Sequence, residues 1–331
     1  MNDALRVPGD VVAALDRRPG RALMLGHVHP DADVLGTLLA IGEALRTRGW
    51  SVVAGGPHPA PGALSFLPGV EGYEVLKTLD GPFDVVVLTD CPNPDRTEGL
   101  IDAAKRASPM VVNIDHHPDN RRYGTIDWVD VDAAATGEMV YRLLTAVGAP
   151  LTPSIATNLF TAVHTDTGSF RYSNTTPRTF RIAAELTAAG ADPSLVSDRL
   201  YQQRAPDSLV QLGEVLRLIQ VSEDGRIAWL AVPRGLVSRE FLDAEDLVGY
   251  PRSVGGVKVA VLLREEGPGT IKASLRAKGD VPVNAIAHRF GGGGHENAAG
   301  CTLSGTLEEA TATLLEAVRD SLDAVRPRSP K

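Results

Sequence analysis

Histidine and aspartate recur in four short segments of this sequence, in combinations that suit divalent metal ions. GHVHPDADVLGT carries His27, His29, Asp31 and Asp33. Asp90 closes the run DVVVLTD, Asp115-His116-His117 closes MVVNIDHH, and Asp166 sits in HTDTG. Imidazole mixed with carboxylate suits Mn²⁺, Fe²⁺, Co²⁺ or Zn²⁺, whereas all-oxygen ligation favours Mg²⁺ or Ca²⁺. Several carboxylates brought together without a cation repel one another, so convergence of these aspartates would be costly in an empty site. Two cations about 3.5–4 Å apart need one shared ligand and several private ones, and such pairs hydrolyse phosphate esters. Asp31 and Asp33, two apart in a tight turn before a helix, can serve different cations. Taken singly, either is explained as a helix cap or turn residue, and an isolated His-His pair is more often surface than ligand. Four such segments, each placed just past a predicted strand, are not explained by capping.

The elements that must position these residues alternate between strand and helix. Arg21–Leu25, Ser51–Ala54, Asp84–Thr89 and Met110–Ile114 read as buried strands. Val34–Arg48, Thr136–Val147, Ser154–Val163 and Thr179–Ala189 read as helices, with Gly49 and Gly190 as stops. Gly55–Gly72 is rich in Pro and Gly and reads mostly as loop. This alternation predicts an α/β fold with a parallel sheet covered by helices on both faces. Ligands of open α/β sheets bind outside the carboxyl ends of the strands, where residues distant in sequence converge. Ala191–Leu218 looks helical and more polar, as a connector would. Beyond it, Arg226–Val232, Val257–Glu265 and Thr270–Ala277 alternate apolar with polar residues like half-solvated antiparallel strands. Val283–Phe290 and Leu307–Val325 read as helices around the glycine run Gly291–Gly294, and Arg326–Lys331 as a frayed tail. The expected domains are residues 1–190, a helical connector 191–218, and a smaller α/β domain 219–331 with a mixed or antiparallel sheet.

Composition narrows the function class. With 331 residues, two domains fit better than one core. The formal net charge of −8 argues against a protein that coats long nucleic acid, because such binding relies on many Lys/Arg–phosphate contacts. It does not exclude a small phosphate-bearing substrate, since two divalent cations bring about four positive charges to one pocket. Cys91 and Cys301 are the two cysteines, too few and too far apart for a disulfide scaffold or thiolate cluster. No window offers about 18 uninterrupted apolar residues, so no membrane span is expected. The N-terminus MNDALRVPGDVVAALDRRPG lacks an apolar signal core, and a cytoplasmic location follows as the expectation.

GHVHPDADVLGT, Asp90, Asp115-His116-His117 and HTDTGSFRYSNTTPRT, in that order, resemble the four successive motifs of the DHH phosphoesterases. SLRAKGDVPVNAIAHRFGGGGHENAAG is similar to the GGGH motif of the DHH-associated C-terminal domain. The resemblance covers nearly the whole chain and is strongest to the nanoRNase type, oligoribonucleases that also act on 3′-phosphoadenosine-5′-phosphate; some relatives cleave cyclic di-AMP or its linear product. It implies an N-terminal metal-binding domain, a C-terminal substrate-binding domain and an active site in the cleft between them. It makes His27, Asp31 and Asp90 ligands of one metal, and Asp33, Asp90, His116 and Asp166 ligands of the other. His117 would bind the scissile phosphate or protonate the leaving oxygen, with His29, where relatives commonly have Asn or Arg, and Asp115 in support. Gly292, Gly293, Gly294, His295 and Arg276 would grip substrate phosphate, with Arg171 and Arg178 as weaker candidates. His58, His164 and His288 read as structural, and Cys91 as a small core residue. The implied cofactors are two divalent cations, Mn²⁺ first, with Mg²⁺, Co²⁺ or Fe²⁺ as alternatives. The implied partners are short RNA oligonucleotides and nucleotide phosphates, and a second copy in a homodimer. An inorganic pyrophosphatase or exopolyphosphatase of the same superfamily is the alternative enzyme; a non-catalytic nucleotide sensor is the alternative outside enzymes.

Overall fold

Strands buried on both faces need no polar alternation, and the Val- and Leu-rich runs of the first half form such strands. In this computed structural model, which describes residues 7–238, 241, 247–279 and 281–324, β1 (Arg21–Leu25), β2 (Ser51–Gly56), β3 (Tyr73–Val75), β4 (Val85–Thr89), β5 (Val111–Asp115) and β6 (Ile126–Val129) make one sheet. Their order is β3-β2-β1-β4-β5-β6 and every pairing is parallel. The order reverses between β1 and β4, the switch point at which doubly wound sheets open a crevice. Register pairs Leu25 with Leu88 and Thr89 with Ile114. The segments after β1, β4 and β5 therefore leave the sheet at one level and at its centre.

The helices of this unit are α1 (Gly9–Leu15), α2 (Ala32–Thr47), α3 (Leu100–Ala107), α4 (Thr136–Ala146), α5 (Pro153–Asp166), α6 (Pro177–Ala188) and α7 (Pro193–Tyr201). α2 is buried along most of its length, and glycine lets it lie close to α5. A Cβ at Gly36 would stand 2.4 Å from the Asn158 carbonyl oxygen. Gly137 does the same for α4, where a Cβ would meet the Ala162 side chain at 2.9 Å. Three helices thus meet backbone to backbone, and each brings an end or a first turn to the crevice.

The chain divides into two compact units at Gln203/Arg204, inside the stretch read as a connector: α7 belongs to the first and α8 (Pro206–Leu216) to the second. The second unit adds β7 (Gln220–Val221), β8 (Ile227–Val232), α9 (Gly249–Ser253), β9 (Val259–Gly267), β10 (Thr270–Ala277), α10 (Val283–His288), β11 (Gly293–His295), β12 (Ala298–Ser304) and α11 (Leu307–Ala324). Its sheet order is β11-β12-β10-β9-β8-β7, antiparallel except for the parallel pair β8/β9, so the sheet is mixed.

Several expectations are corrected. The C-terminal strands are not half-solvated throughout. Val259, Val261 and Leu263 of β9 pack into the core with Leu314 and Val318 of α11, while Ala260 and Leu262 pack on the opposite face with Leu212 and Val215 of α8. β3, β6, α1 and α3 carry too short or too mixed a pattern to be read from sequence. Pro177 opens α6 two residues earlier than expected, behind a capping box formed by Thr176 and Thr179. α5 runs three residues past Val163, so Asp166 ends a helix rather than following a strand. The tail Arg326–Lys331 lies outside the described residues. No helix among the described residues is long and apolar enough to cross a membrane.

Candidate metal centre

The segment after β1 is held by backbone groups that fix its side chains. His27 is fully buried, with Nδ1 2.7 Å from the Val28 carbonyl oxygen and 3.2 Å from Arg96 Nη2. The short contact to an acceptor requires the proton on Nδ1, which leaves a lone pair on Nε2. Burial, then the Arg96 charge, pushes the His27 pKa down against Asp31 and Asp90, so the ring is neutral near pH 7. Nε2 is buried without a hydrogen-bond partner and lies 4.0 Å from Asp90 Oδ2. A lone pair facing a buried carboxylate is repulsive unless a cation stands between them, and a neutral imidazole tied down at its other nitrogen is the form that binds metal.

Asp31 does cap α2, its Oδ1 accepting from the Asp33 and Val34 N–H groups at 3.1 Å. Capping does not exhaust Asp31, which also contributes a donor atom to a group with His27 and Asp90 that could hold a metal ion. Asp33 is buried at the N-terminus of α4, where its carboxylate accepts from Thr136 N at 2.7 Å and Gly137 N at 2.8 Å. Burial and the neighbouring Asp90 and Asp166 nevertheless push its pKa well above the carboxylate range.

Asp90 is the hub. Its backbone lies in the left-handed region, φ 53°, which aspartate tolerates better than most residues. The following carbonyl, that of Cys91, accepts from Tyr123 Oη at 2.8 Å and Asn113 Nδ2 at 3.3 Å. Its own Oδ1 accepts from Thr136 Oγ1 at 3.2 Å. Three imidazoles surround it: His116 at 3.3 Å, His117 at 3.4 Å and His27 at 4.0 Å. Burial would raise its pKa, but His117, His116 and His27 together hold it below the ordinary carboxylate range.

Asp115 is fully committed to the turn that follows β5. Its Oδ1 accepts from the His116 and His117 backbone N–H groups and, at 2.8 Å, from His117 Nδ1, while Oδ2 accepts from Asn120. His116 donates from Nδ1 to the Ala133 carbonyl at 3.0 Å, which turns Nε2 to Asp166 at 3.2 Å, Asp90 at 3.3 Å and Asp33 at 3.9 Å. Burial opposes protonation of both histidines, yet Asp166, Asp90 and Asp33 raise His116 well above its usual value, and Asp90 and Asp115 raise His117. Asp166 is half-buried, and burial with Asp90 and Asp31 pushes its carboxyl up to about 6.

Two groups of donor atoms hold the expected ligands, His27/Asp31/Asp90 and Asp33/Asp90/His116, each within 4.8 Å, and a further group, Asp90/Asp115/His117, also contains Asp90. Asp166 borders the second through His116. Opposed pKa shifts among adjacent carboxylates are what such crowding produces without a cation.

Other candidates are placed differently. His29, φ 49°, donates its backbone N–H to His58 Nδ1 at 3.3 Å, and the two rings stand edge to face. His58 in turn contacts Glu98. Arg171 turns back on its own loop, donating from Nε to Gly168 O at 2.6 Å. Arg178 is taken up by buried Glu138 at 2.9 Å. His164 stacks on Phe160 within a cluster that includes Phe170 and Tyr201. Cys91 is buried, its thiol pushed up to about 11 by that burial. Sequence reasoning passed over Arg96, Asn113, Tyr123 and Thr136. Thr136-Gly137 opening an apolar helix was a usable signal, since helix N-termini attract anions.

In the second unit, β10, β12 and β11 place Arg276 opposite Ala298 and Ala298 opposite His295. Directly paired residues share a face, so Arg276 and His295 flank a methyl group on the face away from α11. Arg276 Nη1 donates to the Leu275 carbonyl at 3.1 Å. The glycines serve packing too. A Cβ at Gly292 would lie 2.1 Å from Gly300 O, and one at Gly294, φ 131°, 2.5 Å from Ala298 O.

A family model described as the DHH family, N-terminal domain, matches residues 21–163, and one described as the DHHA1 domain matches residues 240–324. The bifunctional oligoribonuclease and PAP phosphatase NrnA of Thermus thermophilus is 36% identical over 323 residues, 97% of this chain and 95% of that protein. The protein of the same name from Bacillus subtilis is 29% identical over 287 residues, 84% of this chain and 87% of its own. Among solved structures, an exopolyphosphatase-related protein from Bacteroides fragilis superposes with a TM-score of 0.85 at 25% identity, covering 97% of this chain and 98% of that one.

Proposed function

Because the chain belongs to the DHH family, with a DHHA1 domain after the DHH domain, we propose that it hydrolyses short oligoribonucleotides of about two to five nucleotides and dephosphorylates 3′-phosphoadenosine-5′-phosphate, using two divalent cations of which Mn²⁺ is the first candidate. Phosphoesterases of this family depend on metal, and the chain carries matching His/Asp groups. The observation that carries the reading is Asp90, a buried carboxylate shared between two donor groups and ringed by three imidazoles.

His27, Asp31 and Asp90 would hold one cation, and Asp33, Asp90, His116 and Asp166 the other. Bound there, the cations supply Lewis acidity to a phosphate and acidify water. The residues do the remainder. The Val28 and Ala133 carbonyls fix the tautomers of His27 and His116. Asp115 holds the Nδ1 proton of His117 and favours its imidazolium form, so the Nε2 proton is available to the leaving oxygen. Arg276 and His295, in one cross-strand row, would grip a second phosphate and so favour short substrates; cyclic and linear dinucleotides are further candidates.

The test is cleavage with Mn²⁺ of RNAs from two to about twenty nucleotides, with 3′-phosphoadenosine-5′-phosphate and pyrophosphate alongside. Turnover is expected to be highest on the shortest RNAs and present on the phosphoadenosine compound. Faster turnover of pyrophosphate would move the chain to the pyrophosphatase alternative. Metal-dependent binding without turnover would make it a sensor.

A further inference from the structure

Arg96 stands beside His27, at the Nδ1 edge of its ring, with no carboxylate partner among the described residues. It lies in the short 3₁₀ turn Pro94–Thr97 just after β4, and its position is fixed by backbone. Asn93 caps the turn, and the Arg96 carbonyl accepts from Val28 N at 2.8 Å, tying it to the segment that carries His27. The charges around it are used elsewhere: Asp95 pairs with Arg121 at 3.1 Å, and Glu98 contacts His58 at 3.2 Å. Among the described residues no carboxylate lies within ion-pair distance of the Arg96 guanidinium, although Asp31 and Asp90 belong to the adjoining segments.

Among the described residues its side chain makes one polar contact, Nη2 to His27 Nδ1 at 3.2 Å. Nδ1 cannot accept from Arg96 while it gives its proton to Val28 O at 2.7 Å, so in that tautomer the guanidinium gains no acceptor from His27. Two donors face each other, and a partly buried cation beside a cluster of donors has its own five N–H groups to satisfy. A phosphate oxygen is the acceptor that a metal phosphoesterase centre brings to this place, and guanidinium matches it in bidentate fashion. On the phosphoesterase reading given above, we infer that Arg96 is a substrate-binding residue that takes the non-bridging oxygens of the phosphate held at the metal centre.

The experiment uses the full chain loaded with Mn²⁺, wild type against Arg96→Gln and Arg96→Lys. It titrates inorganic phosphate and AMP by calorimetry, and Mn²⁺ separately. Arg96→Gln is expected to weaken phosphate and AMP binding by about ten- to a hundred-fold, the range for a lost charge-assisted hydrogen bond, with Mn²⁺ affinity unchanged. Arg96→Lys should recover part of the loss, since it keeps the charge without the fork. Unchanged phosphate binding in Arg96→Gln would overturn the inference. So would a parallel loss of Mn²⁺ affinity, which would mean that Arg96 acts through His27, or an absence of Mn²⁺-dependent phosphate binding in wild type. If phosphate binding behaves as expected but no RNA is cleaved, the assignment of Arg96 stands and the proposed activity falls.

Discussion

The two units hold their candidate functional residues in opposite ways. Around Asp90 the side chains are tied down individually: a carbonyl fixes His27 and another fixes His116, two backbone N–H groups fix Asp33, and Asn113 with Tyr123 fixes the peptide after Asp90. Around His295 the backbone is what is fixed. Gly292 and Gly294 let β11 press onto β12, and the strand register sets Arg276 and His295 in one row. A centre that must hold opposed charges within a few ångströms needs rigid support. A row proposed to meet one phosphate of substrates of different length does not.

The largest effect is expected at Asp90. Asp90→Asn removes the charge shared by both donor groups, and activity with Mn²⁺ is expected to fall by about a thousand-fold or more, the scale of losing an electrostatic anchor of the transition state. Calorimetry should show fewer bound Mn²⁺ ions per chain. Activity within about ten-fold of wild type would mean that Asp90 is a structural hub only.

Next in size is Gly292→Ala. The added Cβ meets backbone and Cys301 at less than 3 Å, so β11 must move. Overpacking of this kind costs about 1–3 kcal/mol, read as a lower denaturation midpoint of the second unit. An unchanged midpoint would show that the run is a pliable loop rather than a packed strand. Arg276→Met should act on binding alone, raising KM for a 5′-phosphorylated dinucleotide by about ten-fold with the denaturation midpoint unchanged. An equal loss in kcat would place Arg276 at the reacting phosphate instead.

What the sequence made legible follows the same division. The run DVVVLTD is β-branched, bounded and buried, and its strand with Asp90 at the end was readable from residue types alone. Asp166 was readable as a donor but not as a helix end. The sequence HTDTG carries no stop until Gly168, and α5 continues because its buried face, Leu159 through Val163, packs against α2. Asn113 and Tyr123 were invisible. Their work is on a carbonyl more than twenty residues away, and no local pattern reports a long-range hydrogen bond. Arg276 and His295 are named together as phosphate donors from the motif they share, but their common row depends on the β10/β12/β11 register, which alternation alone does not fix.

The smallest expected effect is a pH dependence that distinguishes the units without mutation. In chelator, Asp166 binds a proton up to about pH 6 in the folded protein, whereas an unfolded aspartate releases it near pH 3.9. Asp33 is raised in the same sense, and His116 and His117 keep protons above the ordinary histidine value of about 6.5. All four make the folded state the more protonated, so their contribution is complete at low pH and lost as pH rises through the folded values. His27, lowered, opposes them, its contribution growing as pH rises toward 6.5. Asp90, lowered, contributes above the ordinary aspartate value and loses that only in acid. Four groups against one predict that the melting temperature of the metal-free first unit falls between about pH 5 and pH 8. Cations replace the protons, so with Mn²⁺ the same unit should be stabilised increasingly as pH rises over that window. The second unit, with no such cluster among its described residues, should show neither trend in calorimetry that resolves the two transitions. A flat or rising profile for the first unit in chelator would mean that its carboxylates are relieved by something other than protons or metal.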